Sequence, residues 1–348
     1  GYVPVEPDGS VKVAVPANVA FGISVLDADG KRITQRHQNW LQVRPGESIA
    51  CIGCHTSNST VPHGRPDAEP DPANVGALTT GVEFPNSESR LSPDFGETMA
   101  ETRARIDGIR RLTPDIEFED EWTDETATPK ATSFAYAYAD LSTANPISAP
   151  NCESAWTSLC RIAVHYPNHI HPLWNVNREV LDTDGMTVLE DRTCTSCHTN
   201  VDDAGAARVP DAQLDLTGGP STDEPLHLKS YRELLFNDNE QEVVDGILID
   251  RLVDSGQVQQ VPRVDNEGNP VLDDDGNQII DEIPILVTVN VAPTMRTAGA
   301  NNSNAFFSLF ESGGTHEGYL TQAELKLIAE WLDLGGQYYN DPFLAPLD

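Results

Sequence analysis

Two copies of one cysteine–histidine pattern carry the most specific chemistry of this 348-residue chain. Residues 51–55 read CIGCH and residues 194–198 read CTSCH, so both have the form C-x-x-C-H. Positions three apart share one face of a helical turn, where two thiols can bond one porphyrin while the next histidine binds its iron. This spacing is typical of c-type haem attachment and predicts two covalently bound haem c groups. The predicted haem-binding residues are Cys51, Cys54, His55, Cys194, Cys197 and His198, with the two histidines as proximal iron ligands.

Structural zinc sites and redox-active dithiols are the alternatives for these cysteines. A structural zinc site normally has four cysteine or histidine ligands, and neither motif has a second ligand pair nearby in the sequence. A thioredoxin-like dithiol would not explain the histidine that follows both copies. Covalent haem therefore accounts for both motifs better than zinc or a dithiol does.

The ligand on the far side of each iron would decide what the haem does. Methionine is typical of a carrier of high potential, histidine of one of low potential, and an open position of a catalyst. The chain has nine histidines and three methionines, which favours histidine. The predicted distal ligands are His169 in the segment VHYPNHIHPLW, His316 in a glycine-rich loop, and His37 upstream of the first motif. Met295 is the methionine alternative.

The remaining cysteines, Cys152 and Cys160, enclose a short loop, and we expect a disulfide between them. Disulfides persist in oxidising compartments, where c-type haem attachment also takes place. A pair of buried free thiols is the alternative. The disulfide interpretation predicts a secreted protein, located in the periplasm or outside the cell.

The charge balance excludes some classes of partner. The chain has 55 acidic and 22 basic residues, and its formal net charge is -33. This charge repels nucleic-acid phosphates and anionic lipids, so neither is a predicted partner. No apolar run approaches the roughly 20 residues that a membrane-spanning helix needs. The acidity suits either a solubilising surface or a docking face for a cationic redox partner, and composition does not separate the two.

Local patterns predict an α+β fold with four parts. Residues 1–48 contain β-prone runs between Gly/Asp turns and predict a small β-rich unit. Residues 49–260 are expected to form a mainly α, loop-rich, cytochrome c-like haem region. Residues 261–292 predict a β-hairpin insertion, and residues 293–348 predict a C-terminal helical segment packing on the haem region. In that last segment, Thr321 and Glu324 match a capping box at the start of a helix.

The acidic turns of the hairpin raise the question of a calcium site. Asp273, Asp275, Gly276 and Glu282 match the third, fifth, sixth and twelfth positions of an EF-hand loop, but Val271 takes the place of the first acid. No flanking helices are evident from the sequence. Ordinary β-turns are therefore the expected structure, and calcium is the one further cofactor that the sequence admits.

Four segments of the chain resemble the haem-bearing C-terminal region of multidomain cytochromes similar to the hydrazine synthase alpha subunit. They are PVEPDGSVKVAVPAN, RHQNWLQVRPGESIACIGCH, NHIHPLW ahead of CTSCHTN, and AELKLIAEWLDLGGQYYNDPF. The resemblance implies a haem ligand at His169 and, in the relatives, a further N-terminal propeller-like domain. Hydrazine chemistry is not implied, because the tyrosine ligand of that enzyme's modified haem has no counterpart in residues 56–59.

Taken with the motifs, this resemblance predicts one-electron transfer between external redox partners. A di-haem cytochrome c peroxidase-type enzyme, with one haem open to peroxide, is the alternative, so the choice between carrier and enzyme stays open. A third possibility is a filament in which copies of the chain stack their haems, because a head-to-tail interface that does not close gives a fibre. The predicted partners are therefore other redox proteins or further copies of the chain.

Overall fold

The computed structural model describes residues 1–34, 39–51, 83–84, 87–120, 125–126, 129–157, 159–341, 343 and 345. Helices make up only 19% and strands 22%, and the described sheets are small two-stranded pairs, all but one of them antiparallel. The prediction of a mainly α, cytochrome c-like haem region is therefore wrong. Among the described residues between 49 and 260, turns divide the apolar segments into short elements, and no helix there is longer than α1.

The helices are short because prolines, glycines and turns interrupt the apolar segments. The described α-helices are α1 (Met99–Asp107), α2 (Asn151–Ser154), α3 (His171–Trp174), α4 (Cys194–Cys197), α5 (Lys229–Leu235), α6 (Asn304–Phe307) and α7 (Gln322–Asp333). A single π-helical turn, Tyr166–Ile170, precedes α3 directly. In the part of the chain that the structure describes, no helix has the length and apolar character needed to cross a membrane.

The strands form two-stranded pairs. They are β1 (Val13–Ala14), β2 (Arg110–Arg111), β3 (Ile116–Phe118), β4 (Phe134–Tyr136), β5 (Glu179–Leu181), β6 (Val188–Asp191), β7 (Asp238–Asn239), β8 (Gln241–Val244), β9 (Ile247–Asp250), β10 (Leu252–Pro262), β11 (Ile280–Thr288) and β12 (Asn290–Val291). Strands β1 and β2 are parallel. The pairs β3–β4, β5–β6, β7–β12, β8–β9 and β10–β11 are antiparallel.

The chain divides into two compact units. Unit 1 comprises Gly1–His169, Gly299–Asn301 and Leu320–Asp348, and unit 2 comprises Ile170–Ala298 and Asn302–Tyr319. The first C-x-x-C-H motif falls within the residue range of unit 1, and the second falls within unit 2. Each unit thus contains one motif.

The N-terminal segment of unit 1 is held by polar contacts to α1. Glu6, which is buried, forms a two-point ion pair with Arg103, with N–O distances of 2.8 and 3.1 Å. Asp8 Oδ2 accepts the backbone N–H of Met99 at 2.9 Å, where the first turn of α1 has free donors. These contacts, together with the β1–β2 pair, tie the first residues of the chain to α1 and β2.

Helix α7 contributes several buried side chains to the core of unit 1. The predicted capping box is formed: Thr321 Oγ1 accepts the N–H of Glu324 at 3.3 Å, and the Glu324 carboxylate accepts the N–H of Thr321 at 2.8 Å. Ile328 and Trp331 are buried on one face. The Trp331 ring centre lies 5.3 Å from that of Tyr166, so α7 packs against this tyrosine of the same unit.

The same helix buries a lysine that the amphipathic pattern does not predict. Lys326 is 1% exposed, and its Nζ lies 3.4 Å from the ring centre of Tyr138 and 4.8 Å from that of Tyr2. Nζ donates to the carbonyl of Pro114 at 3.3 Å and lies 3.9 Å from the Glu330 carboxylate. Burial lowers the pKa of Lys326. Two aromatic faces and a carboxylate thus compensate for its lost hydration.

Unit 2 has its own apolar core. Its buried apolar side chains include Leu173, Trp174, Leu216, Tyr231, Leu234, Met295, Phe306 and Phe307. The rings of Trp174 and Phe306 meet edge to face with centres 6.3 Å apart. Met295 is fully buried, and its N–H donates to the carbonyl of Leu234 at 3.0 Å. This methionine packs in the core.

The acidic hairpin turns take the form of ordinary turns. Asp273 Oδ1 accepts the backbone N–H groups of Asp275 and Asn277, at 3.0 and 2.8 Å. This is an Asx turn, in which the carboxylate is used to close the backbone. Within the described ranges, no three His, Cys, Asp or Glu side chains are arranged to hold a metal ion.

Cys152 and Cys160 form a disulfide, which confirms that prediction. Both residues are buried. The bridge closes a loop with a sequence separation of 8 around the short helix α2.

Candidate haem-binding site

The second motif is formed on a single helical turn. Cys194 and Cys197 are the first and last residues of α4, and the His198 N–H donates to the Cys194 carbonyl at 2.9 Å. Thr193 precedes the turn, and its Oγ1 accepts the N–H of Arg178 at 3.0 Å. The turn therefore carries both thiols on one face and holds the histidine at its end.

The imidazole of His198 is oriented by backbone carbonyls. Its Nδ1 lies 2.9 Å from the carbonyl oxygen of Asp211 and 3.2 Å from that of Leu214. Carbonyl oxygens only accept hydrogen bonds, so Nδ1 carries the proton and Nε2 keeps its lone pair. A metal-bound histidine usually has this second hydrogen bond, which fixes the tautomer and the ring orientation.

His316 faces His198 from the loop before α7. The two ring centres are 6.2 Å apart, and the ring planes differ by 30°. His316 Nδ1 lies 3.0 Å from Thr315 Oγ1, which leaves Nε2 outside that bond. Burial, followed by the charge of His198, lowers the pKa of His316. The lowered pKa favours the neutral form, which is the form that binds metal ions.

The separation of these rings suits two ligands of one metal ion. The ring centres lie 6.2 Å apart in nearly parallel planes, and two such imidazoles could both bind one metal ion held between them. Together with the thiols of Cys194 and Cys197, the donor set is that of a covalently attached haem with two histidine ligands. The residues of the second motif therefore fit haem c.

Aromatic and charged side chains hold the His316 loop. The His316 ring centre is 5.7 Å from that of Phe310 and 5.1 Å from that of Tyr319. The Tyr319 hydroxyl donates to Glu190 at 3.0 Å, and the Arg192 guanidinium lies 5.2 Å from the Tyr319 ring centre. Tyr319 was not among the predicted site residues. In the sequence, its position three residues after His316 is the only feature that points to it.

An acidic pair lies next to one of the carbonyls that bind His198. Asp215 directly follows Leu214, and its N–H donates to the Glu233 carboxylate at 3.2 Å. Burial raises the pKa of Glu233 to about 8, and Asp238 adds to this effect. Lys229 instead pairs with Asp215 at 2.9 Å. Glu233 is consequently protonated in most molecules at neutral pH.

Unit 1 contains a second pair of histidines. His165 and His169 are both buried, with ring centres 5.6 Å apart. His169 Nδ1 accepts the N–H of His165 at 2.9 Å, and His165 Nδ1 accepts the N–H of Asn340 at 3.1 Å. Each neutral ring therefore carries its proton on Nε2, the opposite of His198. Burial, followed by the charge of His165, lowers the pKa of His169 to about 4.

His165 was not among the predicted ligands, although it belongs to the same histidine-rich segment as His169. Its Nε2 is buried and has no hydrogen-bond partner among the described residues. Such a group is costly to bury alone, so it is a candidate for contact with a bound group. His169 would have to give up its bond from His165 before its Nε2 could bind a metal.

Three residues of the predicted sites lie outside the described residues: Cys54, His55 and His37. Cys51 is described and exposed. The structure therefore brings together the second motif and His316, and it places His169 beside His165. The composition of the first site stays a prediction.

Residues 1–56 match the hydrazine synthase alpha subunit middle domain. This confirms a link to that multidomain family over the matched residues, which end just after the first motif. No curated protein and no solved structure matches the chain. The wider resemblance, through the second motif and the C-terminal helix, stays a prediction.

Proposed function

We propose that this chain is a di-haem c-type cytochrome that transfers single electrons between redox partners outside the cytoplasm. The observation that carries this proposal is the second site, where His316 faces His198 beside the two cysteines of α4. The histidines are contributed by segments far apart in sequence. Their convergence, with Nδ1 of both rings already hydrogen-bonded, favours a bound group between them.

At this site the chain would hold the haem through Cys194 and Cys197 and bind its iron through His198 and His316. A haem bound in this way supplies reversible one-electron chemistry. The carbonyls of Asp211 and Leu214 keep the His198 proton on Nδ1. Phe310 and Tyr319 would hold the His316 loop in place.

Two facing imidazoles favour a carrier over a peroxidase at the second site. Peroxide chemistry requires an open iron position and nearby acid–base groups. If His198 and His316 both bound the iron, the second site would offer no such opening. The peroxidase alternative depends on the first site alone.

The location outside the cytoplasm rests on the Cys152–Cys160 disulfide. A disulfide that persists indicates an oxidising compartment, where haem is also attached to C-x-x-C-H motifs. The match to the hydrazine synthase alpha subunit relates residues 1–56 to a multidomain family. It does not support hydrazine synthesis by this chain. We infer that the haem-bearing resemblance extends to both motifs, and that the partners are redox proteins or copies of the chain.

The decisive experiment is to produce the chain in a host that attaches haem c and to measure haem per chain. Intact mass and the pyridine haemochrome spectrum should both give two haems. The Cys194→Ser/Cys197→Ser variant should keep one, and a Thr195→Ala control should keep both. One haem in the unchanged protein would restrict the proposal to a single site, and none would overturn it.

EPR of the oxidised protein then shows whether each iron has both of its positions outside the haem plane filled. Two low-spin signals that peroxide does not alter would support a carrier. A high-spin signal that peroxide consumes would contradict the carrier assignment and favour the peroxidase. Loss of one low-spin signal in His169→Ala would support His169 as a ligand of the first haem.

A further inference from the structure

The hairpin arm, residues 252–288, has exposed aliphatic side chains that no other described segment covers. In the β10–β11 register, Leu252 lies opposite Thr288, Val258 opposite Pro284 and Pro262 opposite Ile280. Residues opposite each other and residues two apart share a face, so one side of the arm has Asp254, Glu282 and four exposed aliphatic side chains. The aliphatic side chains are Leu252, Val258, Ile280 and Leu286, each between 51% and 54% exposed.

The edges of the arm are also open. Among the described residues, β10 and β11 pair with each other and with no other strand. Each outer edge therefore offers a row of backbone N–H and C=O groups to an additional strand. A two-stranded hairpin with no third strand is marginally stable in water, so a partner that covers its face and edge would stabilise it.

Charge indicates what kind of partner fits. The arm has eight acidic residues and one basic residue, Arg263, which is paired with Asp281. The whole chain has a net charge of -33, so a second copy would bring charge of the same sign to the arm. A basic protein surface would instead be attracted to the acidic arm over a long range. Once bound, it would cover the exposed aliphatic side chains.

We propose that the hairpin arm is the docking surface for a basic protein partner, which covers the face containing Val258 and Leu286 and adds backbone hydrogen bonds at an open edge. The acidic turns at the tip, which contain Glu267, Asp274 and Asp275, steer the encounter. This docking does not depend on haem, and it is measured separately from redox activity.

The test uses the full chain and a small, strongly basic cytochrome c as the probe, with an acidic cytochrome of similar size as the control probe. Biolayer interferometry at about 20 mM and about 200 mM salt measures affinity with and without screening. Hydrogen exchange, with and without the probe, locates the amides that become protected. Sedimentation of the chain alone gives its oligomeric state.

The basic probe should bind at low salt, lose affinity at high salt and protect amides of β10 or β11. Glu267→Gln/Asp274→Asn/Asp275→Asn should weaken binding by about tenfold or more at low salt. Val258→Thr/Leu286→Thr keeps β-prone side chains and should weaken binding about tenfold at both salt concentrations.

A matched control removes three exposed acids outside the arm, through Glu117→Gln, Glu119→Gln and Glu125→Gln, and should leave affinity within about twofold. Failure of the basic probe to bind, or protection confined to other segments, would overturn the proposal. So would a dimer of the chain alone whose arm amides are already protected, because the occupant would then be a second copy.

Discussion

Replacing His316 with alanine tests the second site most directly. Its ring centre lies 6.2 Å from that of His198, whereas its own N–H donates to the carbonyl of Leu309 at 2.8 Å. The substitution removes the imidazole and keeps the backbone bond. The loop is further held by the Tyr319–Glu190 hydrogen bond, so the variant is expected to fold.

The substitution is expected to change the EPR signal of one haem out of two. His316 and the second motif belong to unit 2, whereas the first motif falls in the range of unit 1. About half of the low-spin EPR intensity should therefore convert to high spin in His316→Ala, with haem content unchanged. Added imidazole should restore the low-spin signal, because it fills the space that the ring has left.

His227→Ala is the matched control. This histidine also lies in unit 2, and its ring meets that of Tyr231 edge to face at 5.0 Å. Its removal should leave both low-spin signals intact. If His316→Ala kept both signals, or lost both, the assignment of His316 to the second iron would be refuted.

Three further predictions concern stability, measured by urea unfolding. Cys152→Ala/Cys160→Ala should cost about 2.5 kcal/mol, because the closure entropy of the short disulfide loop is lost. The unsubstituted protein should have the same stability as this variant once its disulfide is reduced. Lys326→Ala should cost about 3 kcal/mol or more, because the partly buried Glu330 carboxylate then stays near Tyr138 without the buried cation, and a cost below about 1 kcal/mol would contradict this role. The pKa of Glu233 is raised to about 8 in the folded chain, so the unfolded chain releases its proton first and stability should fall as pH rises from about 4.5 to about 8. Glu233→Gln should remove up to about 1.4 kcal/mol per pH unit of this slope, and an unchanged slope would show that other groups cause it.

Features encoded by neighbouring residues were predictable. The turn of α4, the Thr321–Glu324 capping box and the Cys152–Cys160 bridge each depend on a spacing of three to eight positions in the chain. Such spacings are fixed by backbone geometry, whatever the rest of the fold does. The sequence therefore indicated where the turn of the second motif, the C-terminal helix and the disulfide would lie.

The fold class was not predictable in the same way. Residues 49–260 contain apolar runs that suit either helices or strands, and only long-range packing decides between them. The buried Glu6–Arg103 ion pair joins residues 97 positions apart, and no local sequence pattern predicts it. The same holds for Lys326, whose burial depends on aromatic side chains from distant segments. Short apolar runs were therefore assigned to helices that the chain does not form.

The two histidine pairs differ in a way that types and spacing could not reveal. His198 has carbonyls at Nδ1, so its Nε2 is ready to bind a metal. His169 has a backbone N–H at Nδ1, so its Nε2 holds a proton instead. If His169 binds the first iron, the bond from the His165 N–H must break and the ring must reprotonate at Nδ1. His198 would thus need no change of tautomer to bind iron, whereas His169 would require a local rearrangement before it could do so.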